Sequence, residues 1–233
     1  MFDYQRICSE YKYKTELHAH TSPVSRCSEV PPQEAVRLYL EAGCNTITVT
    51  NHLNPEWTVD RVDEYLSGYY DTKAAAEGTP INVVLGVEIR FTENDNDYLV
   101  YGVEEREIAD MIRLIPEGIV AFYKAMKNEN NLILQAHPFR NGMVLAPIDS
   151  IDGIETMNMH PGHNSRVARA CQYAHENRLI VSGGTDFHHV GHQGMCLMRT
   201  EERIGDSFSV AHILKSKNYL FDMNGTLVIP EQY

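Results

Sequence analysis

Basic residues are scarce in this chain and nowhere clustered. Its 233 residues carry 20 Lys and Arg against 32 Asp and Glu, a formal charge of −12. Without a Lys/Arg block there is no electrostatic footprint for long nucleic acid. Long apolar runs are missing too. None approaches the roughly 18–20 residues needed to span a bilayer, and Met1–Lys14 is polar, lacking the apolar centre of a secretion signal. Cysteine is sparse: Cys8, Cys27, Cys44, Cys171 and Cys196 are scattered, odd in number and without a CxxC pair, which argues against a disulfide framework. A reducing cytoplasm and no membrane association are therefore expected. Internal repeats, low-complexity stretches and long linkers are also absent, so one domain over residues 1–233 is expected. What is present is an ordinary apolar fraction, 43%, enough for a sizeable core. Some of the excess acid can be ligand charge neutralised by divalent cations; a soluble acidic surface accounts for most of it.

Strand-like and helix-like segments alternate. Thr15–His20, Asn45–Thr50 and Ile81–Ile89 read as strands, rich in β-branched and aliphatic residues. Tyr98–Val103, Leu132–Ala136, Gly153–Met157, Leu179–Ser182 and Met195–Met198 read likewise. Pro31–Ala42 reads as a helix opened by Pro31-Pro32 and stopped by Gly43. Val59–Glu77, Glu104–Ile115, Glu117–Asn128, Ser165–Asn177 and Val210–Ser216 are further helices, and Asn224-Gly225 marks a hairpin. Repeated strand–helix units predict an α/β fold with a parallel sheet, closed or doubly wound, whose active site lies at the carboxyl ends of the strands.

The chemistry sits at those ends. Seven stretches finish in metal-ligand residue types: LHAHT at Leu17–Thr21, TNH at Thr50–His52, GVE at Gly86–Glu88, AHP at Ala136–Pro138, GIE at Gly153–Glu155, HPGH at His160–His163 and GTDFH at Gly184–His188. Imidazoles and carboxylates converging from several strand ends build a polynuclear metal site. His18 and His20 alternate along a strand and so face one way, as do Asp186 and His188. Glu88 ends an apolar run, where a carboxylate is costly unless paired or coordinated, and its two oxygens can bridge two ions. Taken singly, each has a plainer reading: a surface HxH pair, a salt-bridged Glu, a turn histidine at His137. Glu155 and Asn158 can hydrogen-bond ligands from behind. His175 and His212 fall within helices and read as structural.

In their order and spacing, HAHT, TNH, GVE, AHP, GIETMN and GTDFH resemble the PHP (polymerase and histidinol phosphatase) domain family, from about Thr15 to His192. The resemblance implies a distorted (β/α)7 barrel with two or three divalent ions (zinc, manganese or iron) at the carboxyl ends of the strands. It implies that His18, His20, Glu88 and Asp186 hold one ion and that Glu88 bridges to a second. His137 and a histidine after the GIE strand would share that second ion; His160 and His163 are both candidates, and His163, just before a helix, is preferred. His52 and His188 would serve a third.

The chain departs from the family pattern at two places within the site. The usual acid of TDH is Asn51, which accepts a hydrogen bond but brings no charge. The loop SPVSRCSEV offers Arg26 and Cys27 where the family often has His or Asp. Arg cannot bind a cation, and a thiolate favours softer ions, so the third site is expected to be weaker. The activity implied is hydrolysis of a small phosphomonoester by hydroxide generated at the cluster, with Glu88, Asp186 and His188 carrying the catalysis. Arg26 and Arg140 are either phosphate clamps or surface ion pairs. The expected partner is a small phosphorylated substrate; the oligomeric state is left open. The alternatives are a phosphodiesterase or nuclease acting on short nucleotides, and a non-catalytic metal-binding module.

Overall fold

The computed structural model describes residues 3–230. Helix α1 (Tyr4–Glu10), which the sequence pattern did not indicate, is held by its cap: the Asp3 side chain accepts from the Arg6 amide at 3.1 Å. Strand β1 (Tyr13–Ala19) leads into the first ligand motif. Helix α2 (Pro32–Glu41) begins at the expected Pro-Pro and buries Ala35, Val36, Leu38 and Tyr39. Next come β2 (Thr46–Val49) and β3 (His52–Leu53), which break one extended run at Thr50-Asn51. After α3 (Val62–Ala75), β4 (Asn82–Leu85) and β5 (Val87–Arg90) break a second run at Gly86. A Cβ on Gly86 would come within 2.8 Å of the methyl groups of both Thr48 and Thr50, so only glycine fits at this joint.

Strand β6 (Asp97–Tyr101) follows, then α4 (Ile108–Leu114), α5 (Gly118–Met126) and β7 (Leu132–Gln135). Strand β8 (Gly153–Asn158), α6 (Val167–Asn177) and β9 (Ile180–Gly184) form a further strand–helix–strand unit. The described chain closes with β10 (Leu197–Thr200), α7 (Ser207–Ser216), β11 (Leu220–Met223) and β12 (Thr226–Val228). Among the described residues no helix is long and apolar enough to cross a membrane.

The strands form two six-stranded sheets, ordered β12-β11-β10-β1-β2-β4 and β3-β5-β6-β7-β8-β9. The fold is α/β, as expected, but the sheets are mixed rather than parallel. β5–β6, β6–β7, β1–β10, β10–β11 and β11–β12 are antiparallel. The reason at β5–β6 is length: the 91–96 turn is too short for a parallel crossover, which needs a dozen or more residues. The two broken runs pass from the first sheet into the second, and a bridge between Ala19 and Phe187 brings β1 against the segment after β9. Leu17, Leu99, Tyr101, Leu134, Met198 and Phe221 pack together as one fully buried cluster. A larger cluster lies under α2 and α3, around Val36, Tyr39, Ile47 and Leu66. Truncating any of these buried aliphatics to Ala would cost about 2–5 kcal/mol, so the strand ends stand on a firmly packed base.

Candidate metal centre

The first motif is fixed from both sides. The His20 amide donates to the Phe187 carbonyl at 3.0 Å and the Phe187 amide to the His18 carbonyl at 3.1 Å. This cross-pairing sets HAHT beside TDFH, with His18, His20 and Asp186 all buried. The register of β3 on β5 places His52 opposite Glu88. His137 and Asp186 have φ of 29° and 56°, a region that costs non-glycine residues of order 1–3 kcal/mol. Both are candidate ligands, and the strain at each is spent turning a side chain inward.

Glu88 is the hub. Its Oε1 lies 3.2 Å from His18 Nε2 and 3.2 Å from His137 Nε2, and its Oε2 lies 3.1 Å from His20 Nε2 and 2.9 Å from His52 Nδ1. Asp186 Oδ1 is 3.5 Å from His18 Nε2, 3.4 Å from His20 Nε2 and 3.3 Å from His188 Nδ1. Despite these short separations, His18 Nε2, His20 Nε2, Glu88 Oε2 and His137 Nδ1 are buried and make no hydrogen bond. His18 Nε2 and His20 Nε2 each face oxygens of both Glu88 and Asp186. Orphaned polar atoms on this scale are expensive unless a cation gathers them, so the residues fit divalent ions. Among the described residues three groups have donor atoms within reach of a single ion: His18, His20 and Asp186; His20, His52 and His188; and His52, Glu88 and Asp97.

Electrostatics agrees with the geometry. Burial opposes charge on His18 and His52, yet nearby carboxylates, Glu88 above all, hold both imidazoles well above their ordinary range. Burial opposes charge on Glu88 and Asp186 too, and the facing imidazoles overcome it, holding both carboxyls well below theirs. His188 goes the other way: burial and the neighbouring His20 push it down to about 3, so it is neutral at physiological pH.

A ring of hydrogen bonds holds these side chains from behind. His18 Nδ1 lies 2.9 Å from Glu155 Oε1, while Glu155 Oε2 accepts from the His137 amide at 3.1 Å and from Asn158 Nδ2 at 2.9 Å. His20 Nδ1 lies 3.2 Å from Ser25 Oγ, which donates to Asn51 Oδ1 at 3.0 Å and accepts from the His52 amide at 3.0 Å. The asparagine that replaces the usual acid therefore orients His20, through Ser25. The His188 Nδ1–H donates to the Asp186 carbonyl at 2.9 Å, which leaves Nε2 as the free lone pair.

The other expected residues are placed as follows. Arg140 is mostly buried and donates to Asn158 Oδ1 at 2.6 Å and to Asp186 Oδ2. Arg26 is exposed, with Nη1 3.3 Å from Glu56 Oε2. It lines a cavity of about 380 Å³ beside His52, together with Cys27, Trp57, Arg61 and Arg90. His163 is exposed and lies outside the three ligand groups, its ring 4.6 Å from that of His160. His160 is half-buried, with its ring 5.4 Å from His188, and burial pushes it down to about 4.

Two residues near the centre escaped the sequence reading. Asp97, at the start of β6, sits 3.8 Å from His137 Nε2 and is held by Arg90 at 2.7 and 2.6 Å. Glu16 is buried, accepting from Tyr39 Oη at 2.8 Å and from the amides of His18 and Thr185 at 3.0 and 2.9 Å; burial raises its carboxyl to about 7. The same period of two that pairs His18 with His20 extends back to Glu16, a signal that was available.

Comparison with known proteins gives a consistent picture. The model of the PHP domain matches residues 16–226. No curated protein matches the sequence. Among solved structures, PsfC from Pseudomonas syringae superposes with a TM-score of 0.61 at 14% identity, over 84% of each chain. A two-domain protein from Bacteroides vulgatus, described as containing a predicted PHP-like metal-dependent phosphoesterase, gives a TM-score of 0.60 at 16% identity, over 90% of this chain and 64% of its own. An amidohydrolase from Chromobacterium violaceum with bound sulfate gives 0.53 at 15% identity, over 76% of this chain and 88% of its own. At such identities the likeness is one of fold, whereas the family model spans nearly the whole sequence: the chain belongs to the PHP domain family.

Proposed function

We propose that this chain is a metal-dependent hydrolase of small phosphomonoesters, its two sheets working as one distorted seven-unit barrel. The observation that carries the reading is Glu88, a buried carboxylate with two imidazoles facing each oxygen at 2.9–3.2 Å. One carboxylate so placed would join two ions. Imidazole and carboxylate donors suit zinc, manganese or iron. When bound, such ions acidify water and hold phosphoryl oxygens.

The chain's own residues supply the rest. Glu155 holds the His18 ring and the His137 backbone, so both imidazoles are fixed before substrate arrives. His188, neutral at physiological pH, is a lone-pair donor. Arg140 holds one oxygen of Asp186, leaving the other facing His18 and His20. A guanidinium at this position can also meet a phosphate in a bidentate fork. The cavity beside His52, about 380 Å³, suits a small molecule rather than a polymer. Its arginines Arg26, Arg61 and Arg90 are each paired with a carboxylate, Glu56, Glu64 and Asp97, which an anionic ligand would have to displace.

Purified protein assayed on an aryl phosphate tests this directly. Chelation should abolish turnover and added zinc or manganese should restore it. Full turnover by metal-free protein, or metal uptake with no turnover of any monoester in a broad panel, would overturn the reading.

A further inference from the structure

The loop after β1 carries a thiol where ligand chemistry is needed, and the structure shows what surrounds it. Cys27 Sγ lies 3.1 Å from His188 Nε2. The other nitrogen of that ring keeps its proton and donates it in a hydrogen bond to the Asp186 carbonyl, so Nε2 offers a lone pair that can accept from the Cys27 thiol. His20, His52 and His188 form one of the three ligand groups, their rings nested with centroids 4.4 Å apart for His20–His52 and for His20–His188. His20 Nε2 is fully buried and unpartnered, and its opposite nitrogen is held by Ser25. Three imidazoles therefore share one point, and the Cys27 sulfur stands at its rim in contact with His188.

We propose that Cys27 is the fourth donor of this subsite, as a thiolate, and that three imidazoles and one sulfur hold a borderline-soft divalent ion such as zinc there. This rests on the reading of the whole centre as metal-binding and adds a ligand to it. Coordination would exchange the thiol proton, released to solvent, for the ion. A nitrogen and a sulfur on one tetrahedral zinc ion lie about 3.6 Å apart, so Cys27 Sγ must draw back from His188 by a few tenths of an ångström and swing towards His20 and His52, a rotation open to an exposed loop side chain. The sequence alone counted this position as a weakness because it lacks His or Asp. The geometry makes it a change of chemistry instead: thiolate ligation favours zinc over manganese or magnesium.

Cobalt(II) is the probe. Chelated protein titrated with cobalt should develop a near-ultraviolet thiolate-to-cobalt charge-transfer band. The band should be lost in Cys27→Ser and kept in Cys8→Ser. Zinc should slow alkylation of Cys27 at least about tenfold. Cobalt uptake with visible bands but no charge-transfer band, or a band unchanged in Cys27→Ser, would overturn the sulfur ligand and leave the metal centre standing. No cobalt or zinc uptake at all would overturn both.

Discussion

At the scale of single residues, the centre is unequal in its parts. Glu88 contacts four imidazoles with two oxygens, whereas His52 is part-exposed and contacts Glu88 through one nitrogen. Glu88→Gln keeps the shape and removes the charge that two ions would share. It should lower kcat/KM on an aryl phosphate by more than the ~100-fold that tops the usual range for changes behind the ligands, with metal content falling in step. His52→Ala should cost less, about 10–100-fold. Steady-state kinetics with metal analysis of both variants checks the order, and a larger loss in His52→Ala would show that the weight lies on the outer subsite. The grouping of His18 with His20, and of Asp186 with His188, was legible because a strand repeats every two residues. Asp97 was not legible: it follows Asn94-Asp95-Asn96, where any reader of sequence sees a turn, and only the pairing of β6 with β5 and β7 brings it near His137.

At the scale of elements, the β11–β12 hairpin shows what sequence can carry. Asn224 and Gly225 both have positive φ, 50° and 88°, as a two-residue hairpin loop of this kind requires, and the Asn-Gly pair announces it. What the sequence does not announce is how the hairpin is anchored. Asp222 accepts from the Gly225 amide at 2.8 Å and from Arg199 Nη1 at 2.9 Å, while Arg199 also donates to the carbonyls of Tyr11 and Cys8. Both side chains are 8% exposed. Asp222→Asn should therefore leave a buried guanidinium uncompensated and cost ~3 kcal/mol of stability, with turnover at low denaturant preserved. Urea unfolding measures it; a loss below ~0.5 kcal/mol would mean the pair behaves as a surface one. Strand directions were the least legible feature of all. Alternating strands and helices suggested a parallel sheet, and the strand β6 that breaks the pattern is as apolar as its neighbours.

At the scale of the whole molecule, the candidate ligands come from both sheets: His18 from β1 in one, His52 and Glu88 from β3 and β5 in the other. Bound ions would cross-link them, so stability should follow metal and pH together. In metal-free protein the depressed Glu88 and Asp186 contribute stability that is fully present above their unfolded values, about 4.5 and 3.8, and lost as pH falls through the folded ones. The raised His18 and His52 contribute stability that is fully present below their unfolded value, 6.5, and lost as pH rises through the folded ones. These four groups together contribute most between about pH 4.5 and 6.5, where His18 and His52 are protonated. His188 and His160, held down to about 3 and 4, cost stability as pH falls below 6.5 and draw the optimum towards the upper end of that window. The gain in Tm on adding zinc should be small near pH 5.5 and should grow towards pH 8. Thermal melts of chelated and zinc-loaded protein across that range decide it; a gain independent of pH would mean that these imidazoles are not the ligands.

Gly86 offers no donor atom and touches no candidate ligand, yet it determines whether two of them meet. Because a Cβ there would collide with Thr48 and Thr50, the joint between β4 and β5 stays level with the joint between β2 and β3, and only then does His52 fall opposite Glu88. Heritable variation at this centre is therefore constrained by a position outside any inventory of its chemistry. A sequence could keep all the histidines and carboxylates, lose this one hydrogen-sized side chain, and carry a complete set of ligands that no longer share a point in space.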